Sequence, residues 1–151
     1  MNIGRIPSKA AQIDPTREAL IDVPNDRRMT FGELDKRVCR LGNALKTTLD
    51  LEKGARVGVL SRNCIQYMEI MFASARTGLI TLPLNWRLSE PELMSVLEDG
   101  EPDVVFFSPE YLAVAQNLAP RSQNIRWIGF DDVGRSEYEQ LMASCSDDEP
   151  L

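Results

Sequence analysis

From residue 30 onward, short apolar runs alternate with longer stretches of helical periodicity, and this order constrains the fold more than any other feature. The runs are rich in β-branched and aromatic residues and read RVGVL, LITLPL, DVVFFS and IRWIGF. Strands that alternate with helices through short links are joined by right-handed crossovers, which makes them parallel. The sequence therefore predicts an α/β fold, with a mostly parallel sheet and helices on both of its faces.

The predicted helices carry start and stop signals. Thr30 and Glu33, and then Ser89 and Glu92, have the T-x-x-E and S-x-x-E spacing of a capping box. The segment SRN is expected to cap a largely buried helix over residues 64–76, and Gly78 suits the left-handed residue that ends it. In the helix after Thr30, apolar residues recur on one side, and the basic residues lie off that stripe: Arg37, Arg40 and Lys46.

The ends of the chain depart from this alternation. Residues 3–13 have helical spacing, and REALIDV and RMT, separated by a polar turn, predict a small hairpin. The last segment, CSDDEPL, is acidic and is expected to be disordered. The length of 151 residues suits one domain. We therefore expect a single α/β subdomain over residues 1–144 and a tail over residues 145–151.

Charge and composition exclude several classes of function. A net charge of −6 argues against a nucleic-acid partner. The chain contains no histidine, the commonest general base and metal ligand, so neither a metal site nor a Ser-His dyad is expected. Its three cysteines are scattered, which indicates free thiols and a cytoplasmic location. No apolar run approaches the roughly 20 residues of a membrane span; the longest, YMEIMFASA, is interrupted by Glu69.

A search for catalytic and phosphate-binding patterns leaves few candidates. The sequence has no G-x-x-x-x-G-K-[ST], no G-x-G-x-x-G and no G-x-S-x-G. Asp131 and Asp132 follow the last predicted strand, where carboxylates can bind a cation or accept a phosphoryl group. A polar loop or a helix cap is the interpretation we favour for this pair.

The segment PLNWRL, after the second predicted strand of the sheet, is the strongest candidate for a binding loop. Pro83 suits a strand end, and Asn85 can turn the chain by bonding its own backbone. Trp86 and Arg87 have no equally clear structural role. An arginine beside an aromatic ring, beyond the carboxyl end of a strand, suits a phosphate or an adenine. A purely structural loop remains the alternative.

Taken in order, MTFGELDKRVCRLGNAL, EKGARVGVLSRN, the buried helix, PLNWRLSEPEL and PDVVFFSP resemble the N-terminal segment of the AMP-forming acyl-CoA synthetases and other adenylate-forming enzymes. In that family this segment is a flavodoxin-like subdomain. One position departs from the family pattern, because Ala55 replaces the usual aspartate after Gly54. The matching residues are Thr30, Phe31, Leu34, Gly54, Val57, Asn63, Gly78, Pro83, Leu84, Asn85, Arg87, Leu88, Glu92 and Leu93.

The resemblance implies a two-step reaction in fatty-acid and related metabolism. ATP and a carboxylic acid give an acyl-adenylate and pyrophosphate, and a thiol then takes the acyl group. The implied cofactors of the parent enzyme are ATP, coenzyme A and Mg²⁺. The thiol can belong to coenzyme A or to a carrier-protein arm, and the acid is left open.

The resemblance also implies that this chain needs a partner, the remainder of the parent enzyme. The family's phosphate loop and C-terminal domain lie beyond the matched segment. We therefore expect no catalytic residue here, no cofactor bound by the chain alone and no activity of its own. Arg87 is the candidate contact to a coenzyme A phosphate, by analogy with members in which the matching loop lies near the cofactor entrance.

The alternative hypothesis is a stand-alone flavodoxin-like binding or interaction module without catalysis. Two forms of it lack support, because GVLSRN offers no acidic cluster of a receiver domain and no strand end has the hydroxyl-rich loop of a flavin site. Under the fragment hypothesis, an uncovered sheet edge or apolar face would promote self-association.

Overall fold

The computed structural model describes residues 2–131, 134 and 136–150. A 3₁₀ turn, Ile3–Arg5, precedes the first helix, and a π-helical turn, Ala44–Thr48, extends the second. The helices are α1 (Ile6–Ile13), α2 (Phe31–Asn43), α3 (Ile65–Thr77), α4 (Glu90–Gly100), α5 (Leu112–Leu118) and α6 (Glu137–Ala143). The strands are β1 (Glu18–Asp22), β2 (Arg27–Thr30), β3 (Arg56–Leu60), β4 (Ile80–Pro83), β5 (Val104–Phe107) and β6 (Arg126–Gly129).

The main sheet has four parallel strands in the order β4-β3-β5-β6, as the alternation predicted. Strand β3 is therefore central, with β4 on one side and β5 on the other. Strands β1 and β2 form a separate antiparallel hairpin, which confirms the predicted hairpin. In this topology the carboxyl ends of all four parallel strands meet at one edge of the sheet.

Helices cover both faces of the sheet, and β5 shows why. All four of its residues are buried, with Val104 and Phe106 in one apolar cluster and Val105 and Phe107 in the other. The first cluster includes residues of α2, α3 and α6, and the second includes residues of α4 and α5. Alternate side chains of a strand point to opposite faces, so a strand buried throughout needs cover on both sides.

The helix ends largely agree with the sequence signals. The Thr30 amide donates to Glu33 Oε2 at 2.8 Å and the Ser89 amide to Glu92 Oε2 at 2.8 Å, which confirms both capping boxes. Gly78 has φ of 76° and ends α3. The expectation for SRN was wrong: Cys64 is the N-cap of α3, and no side-chain capping bond is found there within the described part of the chain.

The two ends of the chain lie together against α2 and α3. The predicted N-terminal helix is confirmed as α1, and the Arg76 Nε atom donates to Gly4 O at 3.0 Å. The Asn43 Nδ2 atom donates to the carbonyls of Ser146 and Asp148. These contacts favour an ordered segment over residues 145–150, and the expected disorder of the tail stays a prediction with a test given below.

A buried ionic network, which the apolar pattern concealed, connects α2, α3 and α6. Glu69 is fully buried and accepts hydrogen bonds from Arg37 and from the Tyr138 hydroxyl, the latter at 2.7 Å. Arg37 also donates to Glu139, with Nη2 and Oε1 2.6 Å apart. Burial alone would lower the pKa of Arg37, but the bonds to both carboxylates raise it, so the guanidinium stays charged. Arg37 therefore pairs with a fully buried carboxylate, although it lies off the apolar stripe and its own side chain is only half-buried.

Candidate functional site

Polar and aromatic side chains gather where the parallel strands end. Arg62 follows β3, Trp86 and Arg87 follow β4, and Ser108 follows β5. Ligands of open α/β sheets bind outside the carboxyl ends of the strands, because the loops there are free to diverge. This edge of the sheet is the candidate site.

Two guanidinium groups stack on one indole ring. The Cζ atoms of Arg62 and Arg87 lie 4.6 and 4.3 Å from the centre of the Trp86 ring. Both arginines are exposed, whereas Trp86 is half-buried. We call Arg62, Trp86 and Arg87 the Trp86 cluster. Each guanidinium lies within cation–π distance of the ring, which restricts both side chains and leaves their N–H groups available to an anion.

The loop that presents the cluster is shaped by its own backbone bonds. Asn85 Oδ1 accepts from the Arg87 amide at 3.1 Å, and the Asn85 carbonyl accepts from the Leu88 amide at 3.1 Å. The Leu84 amide donates to the Val59 carbonyl at 2.9 Å and its side chain is buried. These bonds confirm that Asn85 turns the chain. They fix the backbone from which Trp86 packs against the second apolar cluster, whereas Arg87 stays exposed.

Arg62 is the member of this site that the sequence analysis missed. SRN was interpreted as a helix cap, so its arginine was not considered for binding. A signal was present, since Arg62 follows a buried strand in the same way as the PLNWRL loop does. The structure brings Arg62 to Trp86, and Arg87 keeps its place as the predicted contact residue.

The other candidate, the Asp131–Asp132 pair, is only partly described. Asp131 Oδ1 accepts from the Gly134 amide at 3.0 Å, a bond that suits a polar loop. Asp132 lies outside the described residues. Across residues 2–131, 134 and 136–150, no group of three or more histidine, cysteine, aspartate or glutamate side chains could hold a metal ion. Nor does that part of the chain contain a helix long and apolar enough to cross a bilayer.

A family model described as "AMP-binding enzyme" matches residues 8–150, and the chain belongs to this family. Among its curated relatives is the long-chain-fatty-acid–CoA ligase FadD13 of Mycobacterium tuberculosis, 28% identical over 151 residues, or 97% of this chain and 29% of the relative. A feruloyl-CoA synthase from Amycolatopsis is 33% identical over 78% of this chain and 23% of the relative. The fatty acid–[acyl-carrier-protein] ligase ScoC of Streptomyces coeruleorubidus is 32% identical over 72% of this chain and 20% of the relative.

Solved structures agree with this assignment. The inhibitor-bound N-terminal domain of FACL13 from M. tuberculosis superimposes with a TM-score of 0.88 at 27% identity, over 99% of this chain and 37% of that one. The M. tuberculosis fatty acyl CoA synthetase gives a TM-score of 0.87 at 28% identity, over 99% and 30%. The chain thus spans less than a third of the first curated relatives and matches the N-terminal domain of acyl-CoA ligases. Nothing in these comparisons supports the stand-alone module.

Proposed function

We propose that this chain forms the N-terminal α/β portion of an ATP-dependent acyl-CoA synthetase. The parent enzyme would convert a carboxylic acid and ATP to an acyl-adenylate and pyrophosphate, and then transfer the acyl group to the thiol of coenzyme A. The observation that carries the proposal is the family match over residues 8–150, together with relatives that are themselves acid–thiol ligases. The chain alone is expected to be inactive, because the family's phosphate loop is not within its sequence.

The residues of this chain fit the cofactors unequally. The Trp86 cluster offers two exposed guanidinium groups, which suit the phosphates of coenzyme A because arginine donates in a fork that matches phosphate oxygens. The described residues offer no group of carboxylates for Mg²⁺. We therefore assign ATP and Mg²⁺ to the remainder of the enzyme.

Arg87 is the proposed phosphate contact, and Arg62 is its partner. The Trp86 ring limits the freedom of both side chains, so less conformational entropy is lost when a phosphate binds. Because both arginines are exposed, solvent screens the interaction, and one of them contributes about 1 kcal/mol, or about fivefold in affinity. Their role is to bind and orient the cofactor, and neither takes part in proton transfer.

Kinetics of the full-length enzyme test this role. Arg87→Ala should raise the KM for coenzyme A about fivefold and leave the KM for ATP nearly unchanged. Arg126→Ala is the matched control, since Arg126 is exposed but begins β6 at the opposite edge of the sheet. Equal effects on the two KM values would contradict the assignment. In a separate assay, ATP–pyrophosphate exchange by the 151-residue chain with a panel of carboxylic acids should be absent, and clear exchange would refute its expected inactivity.

Self-association and a cytoplasmic location are further parts of the proposal. Strand β4 is at one end of the four-stranded order and carries Ile80, which is 51% exposed. In the parent enzyme, the remainder of the polypeptide would cover such surface. We expect the 151-residue chain to form oligomers in sedimentation experiments, and a single monomeric species at all concentrations would contradict this.

A further inference from the structure

Helix α1 lies on the protein with little apolar burial. Pro7 is buried, but the isoleucines stay exposed: Ile3, in the turn before the helix, is 57% exposed, Ile6 is 45% exposed and Ile13 is 87% exposed. A helix of eight residues is too short to be stable in water by itself, so α1 depends on contacts with the rest of the fold. Polar contacts must therefore supply much of its stabilisation.

Those polar contacts converge on Arg76, near the end of α3. Its side chain is 1% exposed. The Nε atom donates to the Gly4 carbonyl at 3.0 Å, and the Nη2 atom donates to Ser8 Oγ at 2.8 Å and to Asp35 Oδ1 at 2.9 Å. The Nη1 atom donates to Cys39 Sγ at 2.8 Å, and Cys39 is 3% exposed. One buried guanidinium thus joins the N-terminal segment to α2 and α3, with a buried thiol beside it.

The last described residues contact α2 and then reach the same place. Asn43, on α2, donates to two backbone carbonyls of this segment. Asp147 Oδ2 lies 3.4 Å from Nη2 of Arg40, which is also on α2. We call residues 145–150 the strap, because they connect α2 to the N-terminal segment.

Glu149 makes the connection between the strap and the N-terminal segment. Its Oε1 atom lies 2.8 Å from Arg5 Nε, and its Oε2 atom lies 3.9 Å from Arg76 Nη1. The side chains of Glu149 and Arg5 are 41% and 56% exposed, so dissolved ions screen their attraction. An increase in salt from about 0.1 M to about 1 M shortens the screening length from about 10 Å to about 3 Å. The contact is therefore sensitive to salt.

We propose that the strap is a salt-sensitive latch, which holds α1 against α2 and α3 through Glu149, and that the strap and α1 open together. Opening uncovers Arg76 and the buried thiol of Cys39. The sheet stays folded in the open state, because within the described part of the chain the buried residues of the two apolar clusters include none from α1 or the strap. The latch is independent of the reaction proposed for the parent enzyme.

Thiol labelling by N-ethylmaleimide, resolved peptide by peptide in mass spectra of the 151-residue chain, measures the opening. Cys39 should react slowly at about 0.1 M salt and several-fold faster at about 1 M, since a buried thiol reacts from the open state. Glu149→Gln should speed the labelling of Cys39 about two- to fivefold at low salt and weaken its dependence on salt. Cys64, half-buried at the start of α3, is the internal reference, and its rate should not change.

Glu18→Gln is the matched control variant. Glu18 Oε1 lies 2.6 Å from Arg28 Nη1 and its side chain is 49% exposed, but this ion pair lies within the β1–β2 hairpin. The variant should leave the labelling of Cys39 unchanged. Amide exchange supplies a second readout: in Glu149→Gln it should speed up over residues 3–13 and over the strap, and stay slow in β3 and β5.

Several results would overturn the proposal. Unchanged labelling of Cys39 in Glu149→Gln would do so, and so would equal acceleration by Glu18→Gln, which indicates a general effect of charge. Faster exchange in the strap without faster exchange over residues 3–13 contradicts joint opening. Acceleration that extends to β3 and β5 indicates global unfolding instead of a local latch. Rapid exchange of the strap in the unaltered chain at low salt would leave no latch to open.

Discussion

Removal of the Glu69 carboxylate should be among the most damaging single changes in this chain. The side chain is completely buried between α2, α3 and α6. It accepts two bonds from Arg37, one of them from Nη2 at 3.0 Å, and one from the Tyr138 hydroxyl at 2.7 Å. Glu69→Ala leaves the Tyr138 hydroxyl, which is fully buried, without this acceptor and leaves Arg37 with Glu139 alone.

The loss of stability in the Glu69→Ala variant depends on the bonds that Arg37 keeps. Breaking a buried ion pair by removing one partner costs about 3–5 kcal/mol. Arg37 keeps its bonds to Glu139, and its side chain is 26% exposed, so water relieves part of the loss. We therefore expect a decrease of about 3–4 kcal/mol in the free energy of unfolding, a large share of the roughly 5–15 kcal/mol typical of a domain.

Urea unfolding followed by tryptophan fluorescence and circular dichroism measures the loss. With an m-value of about 2 kcal/mol/M, the midpoint should fall by roughly 1.5–2 M. Glu98→Ala is the matched control, because Glu98 is an exposed carboxylate on α4, and its midpoint should hardly change. A decrease of less than about 1 kcal/mol for Glu69→Ala would refute the reasoning, since the network would then contribute no more than a surface pair.

Further predictions concern other elements of the fold. Burial and the nearby Glu69 raise the pKa of Tyr138 well above its usual range. The neutral phenol should therefore contribute fully to the free energy of unfolding below a pH of about 10, and this contribution should decline at higher pH. In urea unfolding measured at a series of pH values, Tyr138→Phe should weaken the loss of stability above a pH of about 10. Hydrogen bonds from the Thr30 amide and hydroxyl lower the pKa of Glu33 from its ordinary value of 4.5. The cap should therefore contribute fully above pH 4.5 and lose its contribution as pH falls below that value, and a Glu33→Gln variant should show a weaker acid dependence. A Cβ atom on Gly4 would clash with the Arg76 amide nitrogen. Gly4→Ala should therefore lower the free energy of unfolding by about 1–3 kcal/mol and with it the Tm, and an unchanged Tm would contradict this packing. Asn43→Ala removes two hydrogen bonds to the tail and should speed amide exchange over residues 145–150. Rapid exchange of these residues in the unaltered chain would instead support the expected disorder of the tail.

Much of the fold was predictable because its signals are local. The capping box at Thr30, the left-handed Gly78 and the buried run of β5 each depend on residues close together in sequence. The wrong prediction at SRN also came from a local signal. These residues have the composition of a helix cap, but the backbone places Cys64 at the N-cap position. Within the candidate site, Arg87 was predicted from its loop and stays a prediction until the kinetics are measured.

By itself, the sequence determined the order of helices and strands, the parallel sheet covered on two faces, and the likeness to AMP-forming ligases. Only the tertiary structure decided that Arg62 shares an indole with Arg87 and that the buried Glu69 pairs with Arg37 and Tyr138. The physical reason is that periodicity states which side of an element is buried, whereas the partners across a sheet edge or between helices are set by strand order and crossing geometry.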